Sequence, residues 1–255
     1  MDQQNKIAVF DSGNELANAA AVFIIKTANN AINARGRFVI ALSGGHTPEH
    51  LYALLAKQSF SDQVPWAHTC IFWGDERCVA STDEENNANM ARTLLLDKIN
   101  IPSSNIYPVP VDLPPVESAK VYEQTIKKFF ANEAPRFDLI LLGLGENGHT
   151  ASLFPGTDVL SEHNHLVKEV YVAEQKLFRV TMTADLINQA YNIIFLVEGK
   201  GKAEILNTVL NEFFQPAKYP AQLIRPLNGN LYWFADRKAG AFFPDGYSNI
   251  DFLDQ

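Results

Sequence analysis

Short apolar runs rich in Val, Ile and Phe recur along the chain, and amphipathic segments separate them. This rhythm limits the fold more than any other feature. A strand that is apolar at nearly every position must be covered on both faces, and helices between strands supply that cover. Strands are predicted at 7–10, 38–42, 69–73, 139–142, 170–172, 179–182, 193–197 and 231–234. Helices are predicted at 16–34, 49–56, 87–99, 117–131, 184–190 and 203–210. The expected fold is α/β: a Rossmann-like three-layer α/β/α arrangement with a mostly parallel sheet. The proline-rich stretch "IPSSNIYPVPVDLPP" shows no composition shift around it. It reads as a surface connection, and residues 1–255 read as a single domain.

In open α/β sheets, ligands bind beyond the carboxyl ends of the strands. Three of the predicted strands run into unusual polar segments: 43–47, 74–77 and 143–150. Parallel strands place all three at one rim.

The stretch "ALSGGHTPEHLY" puts Ser43, Gly44, Gly45 and Thr47 between a strand and a helix. Glycines allow close backbone approach, and a helix start offers free N–H groups to an anion. Taken alone, a phosphate cradle and a tight turn capped by Thr47 are equally good readings. The same letters contain H-x-x-E-H, His46 to His50, an inverted zinc-protease pattern. Pro48 marks the expected helix start, which leaves His46 in the loop and the pair misaligned, so no metal site is expected.

"IFWGDERCV" delivers Asp75, Glu76 and Arg77 from an apolar run. They suit a polyhydroxylated or anionic ligand, or a solvated charge cluster with Arg77 held by one of the carboxylates. "DLILLGLGENGHTASLFPG" delivers His149 among Gly143, Gly145 and Gly148. Imidazole accepts a proton near neutral pH without a large pKa shift, so His149 is the best general-base candidate. The competing reading is that Asn147-Gly148 marks only a turn. Arg179 offers a bidentate fork to phosphate and Lys202 a point charge; each taken alone also reads as a surface cation.

The formal net charge of −8 argues against nucleic acid or an anionic membrane as partner. No apolar stretch reaches the length of a membrane span, and the first residues lack the pattern of a secretory signal. Cys70 and Cys78 are the only cysteines and form no disulfide framework, so a reducing cytoplasm is expected.

The ordered set "SGGHTP", "WGDER", "NNANMARTLLL", "LLGLGENGHTASLFPG", "RVTMT" and "EGKGKAEIL", spread over 42–210, resembles the 6-phosphogluconolactonases. They belong to a superfamily shared with glucosamine-6-phosphate deaminases, whose Asn-containing segment after the histidine is absent here. The resemblance implies hydrolysis of a sugar-phosphate lactone, 6-phospho-D-glucono-1,5-lactone, with no metal or organic cofactor. It also implies that Ser43, Gly44, Gly45, Thr47, Arg179 and Lys202 hold the phosphate. By the same resemblance Asp75 and Arg77 would contact or position the ring and reacting ester, Asn147 and Gly148 would be among the substrate contacts, and His149 would be the general base. The family generally has Asp before Gly-His, where this chain has Asn147. Two other functions compete: an amino-sugar-phosphate isomerase/deaminase using Asp75 as proton shuttle, and a sugar-phosphate sensor without catalysis. Oligomeric state is not legible.

Overall fold

The computed structural model describes residues 5–131 and 133–250. Nine strands form two sheets: β1 (Lys6–Phe10), β2 (Phe38–Leu42), β3 (Thr69–Trp73), β4 (Asp75–Arg77), β5 (Leu139–Gly143), β6 (Val167–Val172), β7 (Leu177–Met182), β8 (Asn192–Val197) and β9 (Asn230–Asp236). The α-helices are α1 (Gly13–Arg35), α2 (His46–Leu55), α3 (Gln58–Ser61), α4 (Asn87–Leu94), α5 (Pro115–Phe130), α6 (Ala184–Ile187) and α7 (Ala203–Asn211).

The large sheet has six strands in the order β1-β9-β8-β5-β2-β3, all parallel. Strands β2 and β3 are buried at every position, as their unbroken apolar sequences require. Each large side chain fully withdrawn from water contributes roughly 1.5–3 kcal/mol. Phe195 and Trp233, on neighbouring strands, stack with centroids 3.8 Å apart. Helix α1 is capped at its start by the Ser12 hydroxyl and ended by Gly36 at φ 76°, the left-handed turn that glycine adopts without strain. No helix among the described residues is long and apolar enough to cross a membrane.

The chain leaves β2 toward β3 on one side and leaves β5 toward β8 on the other, although β2 and β5 are neighbours. The order reverses there, and the loops beyond the two strand ends open a crevice.

Four expectations need correction. The segments predicted at 170–172 and 179–182 do not join the parallel sheet; as β6 and β7 they form an antiparallel sheet of three with β4. The interrupted burial of VKEVYV is the mark of a strand with one wet face. Residues 75–77, expected as loop, are strand β4. Helix α4 stops at Leu94 instead of running to 99, because Leu95 leaves helical geometry (φ −131°) and Leu95 and Leu96 both turn into the core. Helix α2 begins at His46, three residues before the predicted start at 49, with Pro48 inside its first turn.

Candidate active site

A cleft of about 460 Å³ opens at the carboxyl rim, between the ends of β2 and β5. Ser43, Gly44, Gly45, Thr47, Asp75, Arg77, His149, Arg179 and Lys202 all line it. The three polar segments meet at one rim, as parallel strands predict. Asn147 and Gly148 do not line it. Asn147 stands behind the histidine, and Gly148 is buried against Tyr219.

The glycine loop is held from beneath. The buried Tyr52 hydroxyl accepts from Ser43 N–H (3.1 Å) and donates to Ser43 C=O (2.7 Å). Tyr122 does the same for Trp73 at the end of β3, at 2.8 and 2.9 Å. Burial pushes both phenols up, so they remain neutral donors. Gly45 has φ 100° and precedes the first turn of α2, whose N–H groups have no intrahelical partner. A Cβ on Gly44 would lie 1.9 Å from Asn87 Oδ1, so any side chain there forces Asn87 to shift.

Asp75 is buried and accepts from the Ser152 hydroxyl at 2.6 Å, with Arg179 Nη1 at 3.5 Å. Neighbouring Glu76 points away from the cleft. Its carboxylate accepts from the N–H groups of Arg77, Asn87 and Ala88, each at 2.8 Å, and so ties β4 to the start of α4. Burial, which outweighs those three bonds, lifts its pKa to about 7. Arg77 is held by the Glu85 carbonyl at 2.7 Å and not by a side-chain carboxylate.

His149 lies flat on Phe154, centroids 4.0 Å apart. Its Nδ1 is 2.6 Å from Asn147 Oδ1. The His149 backbone N–H also donates to that oxygen, at 3.1 Å, which fixes the amide orientation. An acceptor at Nδ1 places the proton there and leaves the Nε2 lone pair available as a base. Burial, then Arg179, then Lys202 hold the imidazole pKa down to about 4, so the ring is neutral at pH 7.

The contact of Asn147 with the ring sets up a test. Asn147→Asp places a carboxylate against Nδ1, and an opposite charge at that range raises a pKa by about 1–3 units. The acid limb of kcat/KM moves to higher pH by that amount. A limb that stays in place would show that residue 147 does not govern the ring.

Arg179 is buried and stands 5.4 Å above the Phe154 ring. Burial lowers its pKa without removing its charge at neutral pH. Lys202, at the start of α7, has no ion-pair partner among the described residues. Thus three cations, Arg77, Arg179 and Lys202, line a cleft in a chain of net charge −8.

Reading the sequence did not single out Asn87, Gln175 and Glu198 as lining residues. Only the repeated asparagines of "NNANMARTLLL" signalled Asn87. Glu198 opens the motif "EGKGKAEIL" but was given no role, and Gln175 carries no local signal. The His46/His50 pattern also needs correction. Both residues lie on α2 with rings 5.0 Å apart, so the pair is aligned after all. His46 is bound to Glu49 at 3.0 Å, and His50 faces Glu198 at 3.7 Å. No group of three or more His, Cys, Asp or Glu among the described residues is arranged to hold a metal ion.

Fold and cleft together define an α/β protein that can hold a small anion beside a neutral imidazole base. Comparisons with known proteins narrow this class. The sequence model of the glucosamine-6-phosphate isomerases/6-phosphogluconolactonase family matches residues 11–233, beyond both ends of the motif set. A 6-phosphogluconolactonase of Synechocystis sp. is 42% identical over 229 residues, covering 88% of this chain and 92% of its own. One of Nostoc sp. is 40% identical over 222 residues, covering 86% and 90%. The solved 6-phosphogluconolactonase from Trypanosoma cruzi superposes with a TM-score of 0.83 at 31% identity, covering 94% of this chain and 97% of that one. The chain belongs to the glucosamine-6-phosphate isomerase/6-phosphogluconolactonase family.

Proposed function

We propose that the chain hydrolyses 6-phospho-D-glucono-1,5-lactone to 6-phospho-D-gluconate. The observation that carries this reading is the free Nε2 of a tautomer-fixed His149 in the cleft that also holds Arg179 and Lys202.

The phosphate is held by the Ser43–Thr47 loop, the first turn of α2, Arg179 and Lys202. Anchoring this end presents the ester at the other without further loss of freedom. Nε2 takes a proton from water as its oxygen bonds to the lactone carbonyl carbon. The negative charge that develops on the carbonyl oxygen is met by Arg77, since the glycine loop is engaged at the phosphate end. The intermediate collapses by breaking the bond to the ring oxygen, which receives the proton from the imidazolium. Water is consumed and a carboxylic acid and a hydroxyl are released, with no covalent enzyme intermediate. Asp75, fixed by Ser152, orients the ring hydroxyls.

The depressed His149 pKa belongs to this mechanism. A phosphate dianion between Arg179 and Lys202 offsets two of the three causes that hold it down, so the base strengthens when substrate binds. The acid limb of kcat therefore lies at higher pH than that of kcat/KM, whose free-enzyme value is set by a group near 4. Identical limbs would show that the cations do not act on the ring.

The function itself is tested by acid release from freshly made lactone above the spontaneous rate, with no ammonia. Ammonia from glucosamine 6-phosphate would replace the lactonase reading with the deaminase. Ligand-dependent melting with no turnover of either compound would replace it with the sensor. The same reading takes 1–255 as a single catalytic domain with a small-molecule partner and no nucleic acid, metal or organic cofactor. The free thiols Cys70 and Cys78 suit a cytoplasmic setting.

A further inference from the structure

Arg179 does not present an open fork to the cleft. Its Nε and Nη2 both donate to Gln175 Oε1, at 3.1 and 2.6 Å. Its Nη1 faces Asp75 Oδ2 at 3.5 Å. The Nε–Nη2 edge is the one that engages two oxygens of a phosphate or carboxylate side by side. Here a single neutral amide oxygen occupies that edge.

Gln175 is built to be displaced. It lies in the tight turn between β6 and β7, with its N–H on Val172 C=O and the next residue, Lys176, at φ 51°. The residue is exposed, although its side chain reaches the cleft wall. Among the described residues that side chain makes no other hydrogen bond. Arg179, by contrast, is buried, stacked over Phe154 and backed by Asp75, so it is the fixed member of the pair. An amide oxygen is a weaker acceptor than a phosphate dianion.

We propose that Gln175 is a built-in stand-in for the substrate phosphate. It satisfies the Arg179 fork in the free enzyme and must swing out when the phosphate arrives. Gln175 thereby sets the enzyme's preference for phosphorylated over phosphate-free lactones. The inference rests on the lactonase reading above. A binding-competent fraction below one weakens apparent affinity by that fraction, so the occupant of the fork tunes affinity while leaving the reacting end alone.

The test measures affinity for 6-phosphogluconate and for inorganic phosphate by calorimetry, and turnover of 6-phosphogluconolactone and of phosphate-free glucono-1,5-lactone. Gln175→Ala is expected to tighten both anions by roughly three- to ten-fold, since the competent fraction rises. KM for the phosphorylated lactone falls, while kcat/KM for the phosphate-free lactone changes by less than about two-fold, because that substrate does not use the fork. Gln175→Glu replaces the amide by a carboxylate, a stronger occupant, and weakens both anions by about ten-fold or more. Unchanged or weaker binding by Gln175→Ala would overturn the proposal and make Gln175 a support that orients Arg179. Wild-type protein that neither binds 6-phosphogluconate nor prefers the phosphorylated lactone would remove the lactonase reading itself. The variant comparison, made in a protein that does bind, isolates the inference about Gln175.

Discussion

Replacing His149 with alanine is expected to lower kcat by about 10²–10⁴, the usual contribution of a positioned general base. Affinity for 6-phosphogluconate should change little if, as proposed, the glycine loop, Arg179 and Lys202 hold the phosphate. The imidazole stands on a loop beyond β5, and among the described residues its hydrogen bond is to Asn147. Its removal forfeits the stack on Phe154 but no buried polar partner, so folding is preserved and a shift of only a few degrees in Tm is expected. Steady-state turnover, with calorimetry on the product, reads both quantities. A variant that kept its kcat and lost its product affinity would assign His149 to binding and leave the base unidentified.

A methyl group added at Gly145 is expected to disable the same base without deleting it. A Cβ there would lie 2.0 Å from His149 Nδ1 and 2.1 Å from Cε1, far inside contact distance. Gly145 is not at positive φ, so alanine there meets no left-handed backbone strain, and its three nearest atoms all belong to the ring. The ring must leave both Asn147 and Phe154, and Nε2 loses its aim into the cleft. A misplacement of about 1 Å costs roughly 10² in rate when geometry supplies the catalysis. Gly145→Ala is thus expected to lose about that factor in kcat, with KM for the phosphorylated lactone little changed. Restored activity in the double variant Gly145→Ala, Asn147→Ala would show that the ring needs room but not its hydrogen bond. Full activity in the single variant would mean that the imidazole position seen here is not the catalytic one.

The strands that bear the site were legible because β2, β3 and β5 are short runs without polar interruption, and few other environments accept such runs. Once they were taken as parallel, His149, Asp75 and the glycine loop had to share a rim. The small antiparallel sheet was not legible as a sheet. Asp75–Arg77 is charged at all three positions and carries no apolar period, so only its pairing with β7 makes it a strand. Pro48 misled for a stated reason. Every position in a first helical turn lacks an i−4 partner, so proline is tolerated at the third as well as the first. Gln175 and Asn87 reach the cleft through the small sheet and the start of α4. Nothing near Gln175 in the chain foretells that, and for Asn87 the repeated asparagines are the one hint.

The cleft is built by two sheets and belongs to neither. His149, the glycine loop and Lys202 ride on the six parallel strands; Asp75, Arg77 and Arg179 ride on the three antiparallel ones. Within the small sheet Arg77 pairs with Arg179 and Asp75 with Thr181, so the Asp75 carboxylate and Arg179 keep a constant separation. Between the sheets runs a seam at Gly74, whose N–H meets Leu42 C=O at 2.9 Å and whose C=O accepts from Met182 N–H at 2.8 Å. The gap between base and carboxylate is therefore a dimension of that seam. A descendant of this protein can widen or narrow it for a longer or shorter lactone by substitutions that never touch the substrate.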